Sequence, residues 1–175
     1  GLLAGTVLDA DRVLYLCPAA LRDQMERVVA NLREHWQLPQ TIIVRGYSEL
    51  SLAKNAASLE GWLRDADVVV CDEAHKLRNH TSARTSRFLD AATQVDVPWV
   101  MMSGTLLSAG STTAHHLAAV ALRDQSPLPR IGSREVDVWA GFLDGGENLH
   151  WHERGVFGPL LEKWGPKRGG WVSKI

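Results

Sequence analysis

The sequence predicts an α/β fold, in which a parallel β-sheet carries helices on both of its faces. Two features of the 175-residue chain lead to this prediction. Short apolar runs with almost no polar interruption are typical of the buried strands of parallel sheets. The segments between these runs repeat apolar residues at spacings of three and four, as amphipathic helices do. The apolar runs are residues 13–17, 41–44, 68–71 and 97–102.

Helices are predicted after each of the four strands, which makes the chain alternate between strand and helix. The longest is expected over residues 21–36, and the second over residues 52–63. Shorter amphipathic segments follow at residues 88–92 and 114–121. Alternation of this kind requires right-handed crossovers between parallel strands. The apolar face of the first helix is expected to consist of Leu21, Met25, Val28, Leu32 and Trp36.

The alternation of strands and helices ends near residue 125. Residues 126–130 form a turn-rich connector, and helices are expected at residues 134–143 and 159–164. We therefore predict one α/β domain over residues 1–125 and a helical extension over residues 126–175.

The composition is that of a soluble globular protein, with 45% hydrophobic and 22% charged residues. No run of eighteen apolar residues occurs, so no membrane-spanning helix is predicted. The formal net charge of −1 does not indicate nucleic acid, and any binding to it must come from local patches. The two cysteines, Cys17 and Cys71, each close an apolar run without metal-ligand spacing, which predicts reduced thiols in a cytoplasmic protein.

The loops that follow the four predicted strands are expected to share one edge of the sheet. They begin at Pro18, Arg45, Asp72 and Ser103. Parallel strands bring their carboxyl ends to the same edge, and proteins of this class bind ligands just beyond it. The four loops therefore define one candidate site.

The clearest candidate for catalytic residues is the string Asp72-Glu73-Ala74-His75, because it directly follows the third strand. A carboxylate fixed at the end of a buried strand can hold Mg²⁺, and a second carboxylate can orient or deprotonate an attacking water. The simpler alternative is an acidic helix start, where Asp and Glu are favoured by the helix dipole. Asp-Glu after an apolar run is common, whereas the four-residue string is far more specific.

This string resembles motif II of superfamily 2 helicases, and the residues that follow it resemble the Swi/Snf-type branch of that family. Three other segments resemble further motifs of the family, in the expected order and each after a predicted strand. Taken singly, each could be an ordinary turn or helix cap, but all four together favour the family. Residues 126–140 are reminiscent of phage and actinobacterial helicases. The three segments are Pro18-Ala19-Ala20-Leu21 (motif Ia), Gly46-Tyr47-Ser48-Glu49-Leu50 (motif Ib) and Ser103-Gly104-Thr105 (motif III).

The resemblance implies a fold, two cofactors and a set of roles. The fold would be the first RecA-like domain of a P-loop NTPase, with three layers, and the cofactors would be ATP and Mg²⁺. Asp72 would hold Mg²⁺ through its water shell, and Glu73 would act on the attacking water. His75 would couple the nucleotide site to Ser103 and Thr105, so that ATP hydrolysis affects the site where nucleic acid binds.

The resemblance also implies that two strand-end loops contact a sugar-phosphate backbone. Backbone N–H groups at helix starts, with hydroxyls nearby, are suited to binding phosphate oxygens. The alternative is that Pro18 merely opens a helix and that Ser48 is an N-cap. The residues expected at the nucleic acid are Pro18, Ala19, Leu21, Tyr47 and Ser48.

A basic run follows the Asp-Glu-Ala-His string, with four Lys or Arg and no acid between residues 76 and 89. Two explanations stay open: a solvated helix face, or an electrostatic track for nucleic acid. On the second explanation, Lys76 and Arg78 are the candidate contacts. The other two cations of the run are Arg84 and Arg87.

The sequence departs from the family at one point, because it contains no G-x-x-x-x-G-K-[ST] phosphate loop. We expect that loop to precede Gly1 in a longer protein, which would also supply a second RecA-like domain. The sequence-based hypothesis is therefore part of an ATP-dependent DNA helicase or translocase, with DNA preferred over RNA as partner. The alternative is a module derived from a helicase that binds nucleic acid or protein without hydrolysing ATP.

Overall fold

The computed structural model describes residues 1–51, 56–105 and 115–126. The chain divides into two compact units, Gly1–Gly104 and Thr105–Ile175. The connector and helices expected beyond residue 126 lie outside the described residues.

The first unit is built on a four-stranded sheet, which confirms the α/β prediction. All strand pairs are parallel, and the order across the sheet is β2-β1-β3-β4. The two central strands are therefore β1 and β3, whose paired residues run from Val13 opposite Val68 to Leu16 opposite Cys71. The strands are β1 (Arg12–Cys17), β2 (Thr41–Gly46), β3 (Val68–Cys71) and β4 (Trp99–Met101).

Burial explains why the central strands are apolar at every position rather than at alternate ones. Every residue of β3, and every residue of β1 after Arg12, is buried. Successive side chains of a strand point to opposite faces, so continuous burial requires cover on both faces of the sheet. One face packs against Met25, Val28 and Leu32, which project from the helix that follows β1.

Helices follow the strands, as expected from the apolar spacing. A short helix, α1 (Ala4–Val7), precedes β1, and the helix after β1 is α2 (Arg22–Arg33). The next two are α3 (Ala56–Asp65) and α4 (Ala83–Ala92). In the second unit, α5 (His115–Leu122) begins with a buried His115–His116 pair whose rings meet edge to face at 5.4 Å.

The first helix is shorter than the apolar spacing predicted. Residues Ala19–Leu21 form a 3-10 turn, and α2 ends at Arg33, so Trp36 lies beyond the helix. Trp36 is 56% exposed, and its expected place on the apolar face is wrong. Its spacing continues the pattern of the helix, but the backbone leaves the helix before reaching it. Val29, rather than Val28, is the buried valine of α2.

The fourth strand is also shorter than predicted, because it begins at Trp99 instead of Val97. Pro98 has no N–H to donate to a neighbouring strand. Its carbonyl still accepts a hydrogen bond of 3.0 Å from Val69 N, which aligns β4 with β3. The Trp99 ring packs edge to face on Phe88 of α4, with 5.3 Å between the ring centroids. None of the described helices is long and apolar enough to cross a bilayer.

Candidate functional site at the carboxyl edge of the sheet

The candidate site lies where the strand order reverses. The chain passes from β1 to β2 on one side of the sheet, then crosses to β3 on the other side of β1. The crevice between the carboxyl ends of β1 and β3 is therefore the topological switch point, where proteins of this class bind their ligands. Asp72 is the first residue after β3 and stands at this crevice.

The backbone of the Asp72 turn is fixed from both neighbouring strands. Asp72 N donates to Leu16 O at the end of β1 over 2.8 Å. Ala74 N donates to Met102 O over 2.8 Å, and Met102 N donates to Cys71 O over 2.9 Å. The turn is thus bonded to the ends of β1 and β4, which restricts the directions in which its side chains can point.

Both carboxylate oxygens of Asp72 already accept one hydrogen bond. Tyr15, from the middle of β1, donates its hydroxyl to Asp72 Oδ2 over 2.9 Å, and Glu73 N donates to Oδ1 over 3.0 Å. Burial raises the pKa of the Tyr15 phenol, and the bond to Asp72 and the charge of that carboxylate raise it further. Tyr15 therefore remains a donor at neutral pH. A carboxylate has about four lone-pair sites, so the outer face of Asp72 can still accept.

Glu73 occupies the left-handed region of backbone space, with φ 50° and ψ 48°. For a residue with a Cβ this conformation costs roughly 1 kcal/mol, and such residues cluster at functional sites. The consequence here is geometric, because the turn places the Glu73 carboxylate, 42% exposed, at the surface beside His75.

His75 connects Glu73 to the end of β4. Its Nδ1 lies 3.0 Å from Glu73 Oε2 and 3.2 Å from Ser103 Oγ. An ionised carboxylate only accepts hydrogen bonds, so Nδ1 must carry the hydrogen for this contact to be favourable. The structure thus brings together three predicted site residues, Glu73, His75 and Ser103. Thr105, predicted beside them, is exposed and belongs to the second unit.

Tyr47 does not lie where the sequence placed it. It was expected to contact a phosphate, but it is 2% exposed, and its hydroxyl donates to the Asp72 carbonyl over 2.8 Å. The 3-10 segment Tyr47–Ser51 turns the ring inward and leaves Ser48 exposed. Burial raises the pKa of the Tyr47 phenol, so the hydroxyl stays protonated.

The two loops predicted to bind phosphate contact each other. A Cβ added at Gly46 would lie 3.1 Å from Ala19 Cα, so a larger residue here would push the two loops apart by a few tenths of an ångström. Ala19 is exposed and Pro18 is half-buried. Leu21 packs on the core, and its N–H already donates to Pro18 O over 2.9 Å, so it is not aimed outward as expected.

The basic run divides into two pairs with different surroundings. Lys76 and Arg78 are exposed next to the Asp72 turn. Arg84 Nε donates to Ser51 Oγ over 3.2 Å, and Arg87 Nη1 donates to Leu50 O over 3.3 Å. The second pair therefore holds the Tyr47–Ser51 segment against α4.

Neither the contact of Tyr15 with Asp72 nor the inward position of Tyr47 was predicted from the sequence. A signal was present, since a tyrosine inside an apolar strand needs a partner for its hydroxyl. Two cysteines lie nearby in the same sheet. Burial raises the pKa of the Cys17 thiol to about 11 and that of Cys71 to about 12, so both are protonated at neutral pH.

Metal ligands are not grouped in the part of the chain that the structure describes: no three His, Cys, Asp or Glu side chains lie close enough together to hold an ion. Compared with the sequence models of known families, the chain matches none, and it matches no curated protein. The function is therefore inferred from the site itself.

Proposed function

We propose that this chain forms part of the ATP-hydrolysing site of a nucleic-acid-dependent motor of the superfamily 2 type. The observation that carries the proposal is the contact of His75 Nδ1 with both Glu73 and Ser103, at 3.0 and 3.2 Å. This contact joins an exposed carboxylate to the end of the neighbouring strand. A change in charge or position at Glu73 would therefore be passed directly to β4.

The residues of the turn suit magnesium and a nucleotide phosphate. Asp72 offers oxygen ligands, which Mg²⁺ prefers, and the Tyr15 hydroxyl and the Glu73 N–H hold the carboxylate in one orientation. A bound magnesium ion would supply charge stabilisation for the phosphoryl group being transferred. With Asp72 as its one protein ligand, the ion would keep most of its water shell.

Glu73 is suited to act on the attacking water. Its carboxylate is partly exposed beyond the sheet edge, where the terminal phosphate of ATP could approach. His75 restricts the rotamer of Glu73, because the imidazole N–H is fixed between two acceptors. A positioned base of this kind contributes typically about 10²- to 10⁴-fold to a reaction rate.

We propose DNA as the nucleic-acid partner. Support comes from the adjoining loops at Ala19 and Gly46 and from the exposed Lys76 and Arg78, all at the carboxyl edge of the sheet. Exposed cations of this kind contact phosphates rather than bases, so binding should be nearly independent of sequence.

The first prediction tests the proposed activity in the full-length protein. We expect phosphate release from ATP to be stimulated by DNA and to be lost in the Asp72→Ala variant, because the variant removes the carboxylate that positions magnesium. The matched control is Asp90→Ala, at an exposed carboxylate of α4 in the same unit. The measurement is steady-state phosphate release at several magnesium concentrations. Equal rates in the two variants would contradict the proposal.

The second prediction concerns DNA binding. Replacing Lys76 and Arg78 by alanine is expected to weaken binding to unrelated DNA sequences alike. Each lost phosphate contact should lower the slope of log affinity against log salt by about 0.9, or by about 1.8 for the pair. Fluorescence anisotropy across a salt series measures this slope.

Two further variants make the binding experiment specific. Arg64→Ala removes an exposed cation of α3 and should leave the slope unchanged. Ala19→Asp with Ser48→Asp places negative charge on the two loops and should weaken binding as well. If only the Lys76 and Arg78 variant lost affinity, the two loops would serve only to cap helices. The DNA contact would then be assigned to the basic run.

A further inference from the structure

Tyr47 lies between the two functional parts of the proposed site. It follows Gly46 directly, and Gly46 is the residue whose close approach to Ala19 joins the two candidate DNA loops. At the other end of the side chain, the hydroxyl donates to the carbonyl of Asp72 over 2.8 Å. A single buried side chain thus spans the distance from the loops to the turn that carries the carboxylates.

The segment that begins at Tyr47 is held as one piece. Gly46 N donates to Glu49 Oε1 over 2.9 Å, which closes the first turn of Tyr47–Ser51. At its far end, Arg87 donates to the carbonyls of Leu50 and Ser51. With both ends bonded in this way, a displacement at the loops would move the segment as a unit.

We infer that Tyr47 is a positioning residue that transmits DNA contact at the Gly46 and Ala19 loops to the Asp72 turn. The inference rests on the proposed function, because it assumes that DNA reaches these loops. It adds a connection separate from His75 and Ser103, since it acts on the main chain of Asp72 and not on the carboxylate of Glu73.

The chemistry of the hydroxyl supports this role. Its pKa is raised by burial, so it remains a donor at neutral pH. The Asp72 N–H is bonded to Leu16 O, and the Tyr47 bond fixes the opposite side of the same residue. Loss of the hydroxyl would leave a carbonyl in a partly buried position without this donor, at the residue that positions magnesium.

The test compares Tyr47→Phe with Tyr15→Phe in the full-length protein. Both variants remove one buried hydroxyl that bonds to Asp72. Tyr47→Phe is expected to lower the ratio of ATP hydrolysis with DNA to that without DNA by roughly tenfold, the effect of one hydrogen bond. Tyr15→Phe is expected to change both rates by the same factor, because it acts on the carboxylate alone.

A second readout does not depend on hydrolysis. Hydrogen exchange of the amides of Asp72 and Ala74 is measured with and without double-stranded DNA. We expect DNA to change their exchange in the wild type and not in Tyr47→Phe. Arg87→Met, which loosens the far end of the segment, should lower the response in the same direction and serves if Tyr47→Phe folds poorly.

The outcomes separate the inference from the proposed function. If the wild-type ratio and exchange response persist in a folded Tyr47→Phe variant, the inference is overturned and the proposed function stands. If the wild type hydrolyses no ATP but shows an exchange response that Tyr47→Phe lacks, the inference is supported for a non-hydrolysing module. A wild type that responds to DNA in neither measurement overturns both.

Discussion

Replacing Glu73 by glutamine in the full-length protein is expected to lower ATP turnover by roughly 10²- to 10⁴-fold while leaving nucleotide affinity nearly unchanged. The amide keeps the size and the backbone conformation of the glutamate, but it cannot accept a proton from water. It can still contact His75 Nδ1, so the turn keeps its geometry. Single-turnover hydrolysis and equilibrium binding of a fluorescent nucleotide measure the two quantities separately.

A matched control is available on α3. Glu60 forms a surface ion pair with Arg64 at 3.3 Å, and Glu60→Gln should leave both quantities unaltered. Turnover that survives in Glu73→Gln would remove the Asp72 turn from the proposed chemistry. Loss of nucleotide binding together with turnover would instead show that Glu73 supports the structure of the site.

The largest expected effect on stability comes from Phe88→Ala. Phe88 is fully buried, and its ring packs on Trp99 at the start of β4. Truncating a buried phenylalanine typically destabilises a domain by about 3–5 kcal/mol, because apolar contact is lost and a cavity remains. Urea denaturation should therefore shift to a much lower midpoint. Since β4 leads to Ser103, the same variant is expected to loosen the contact of His75 with Ser103.

Trp36→Ala is the control for this experiment, because that aromatic ring is 56% exposed and lies outside α2. Its effect should stay within about 0.5 kcal/mol, the usual range for surface substitutions. Comparable destabilisation by the two variants would mean that Phe88 contributes less to the core than its burial indicates.

The strands could be predicted from the sequence because burial on both faces leaves continuous apolar runs. Val68–Cys71 was located to the residue, and the parallel arrangement followed from the intervening helices. The ends of elements were less accurate. Trp36 continues the helical spacing, although α2 ends at Arg33. Pro98 belongs to the apolar run that predicted the fourth strand, but the strand begins one residue later, at Trp99.

The candidate site was predicted in part. The shared edge of the loops at Asp72 and Ser103 followed from parallel strand ends, which place successive loops together. The contact of His75 with Ser103 was implied by the resemblance to helicases. The position of Tyr47 did not follow, because sequence spacing does not determine whether a residue at a strand end turns inward or outward. The 3-10 segment decides this, and its backbone is fixed by Arg87 from another helix.

Because Glu73 has a left-handed backbone conformation, folding stability and the proposed chemistry favour different residues at this position. Glycine or asparagine would relieve the conformational cost, yet neither carries a carboxylate. Sequence optimisation that scores stability alone would therefore favour replacing the residue on which the proposed activity depends. Retaining glutamate there destabilises the fold by roughly 1 kcal/mol. In a descendant of this protein that had lost the activity, substitutions that remove this cost would be expected to accumulate.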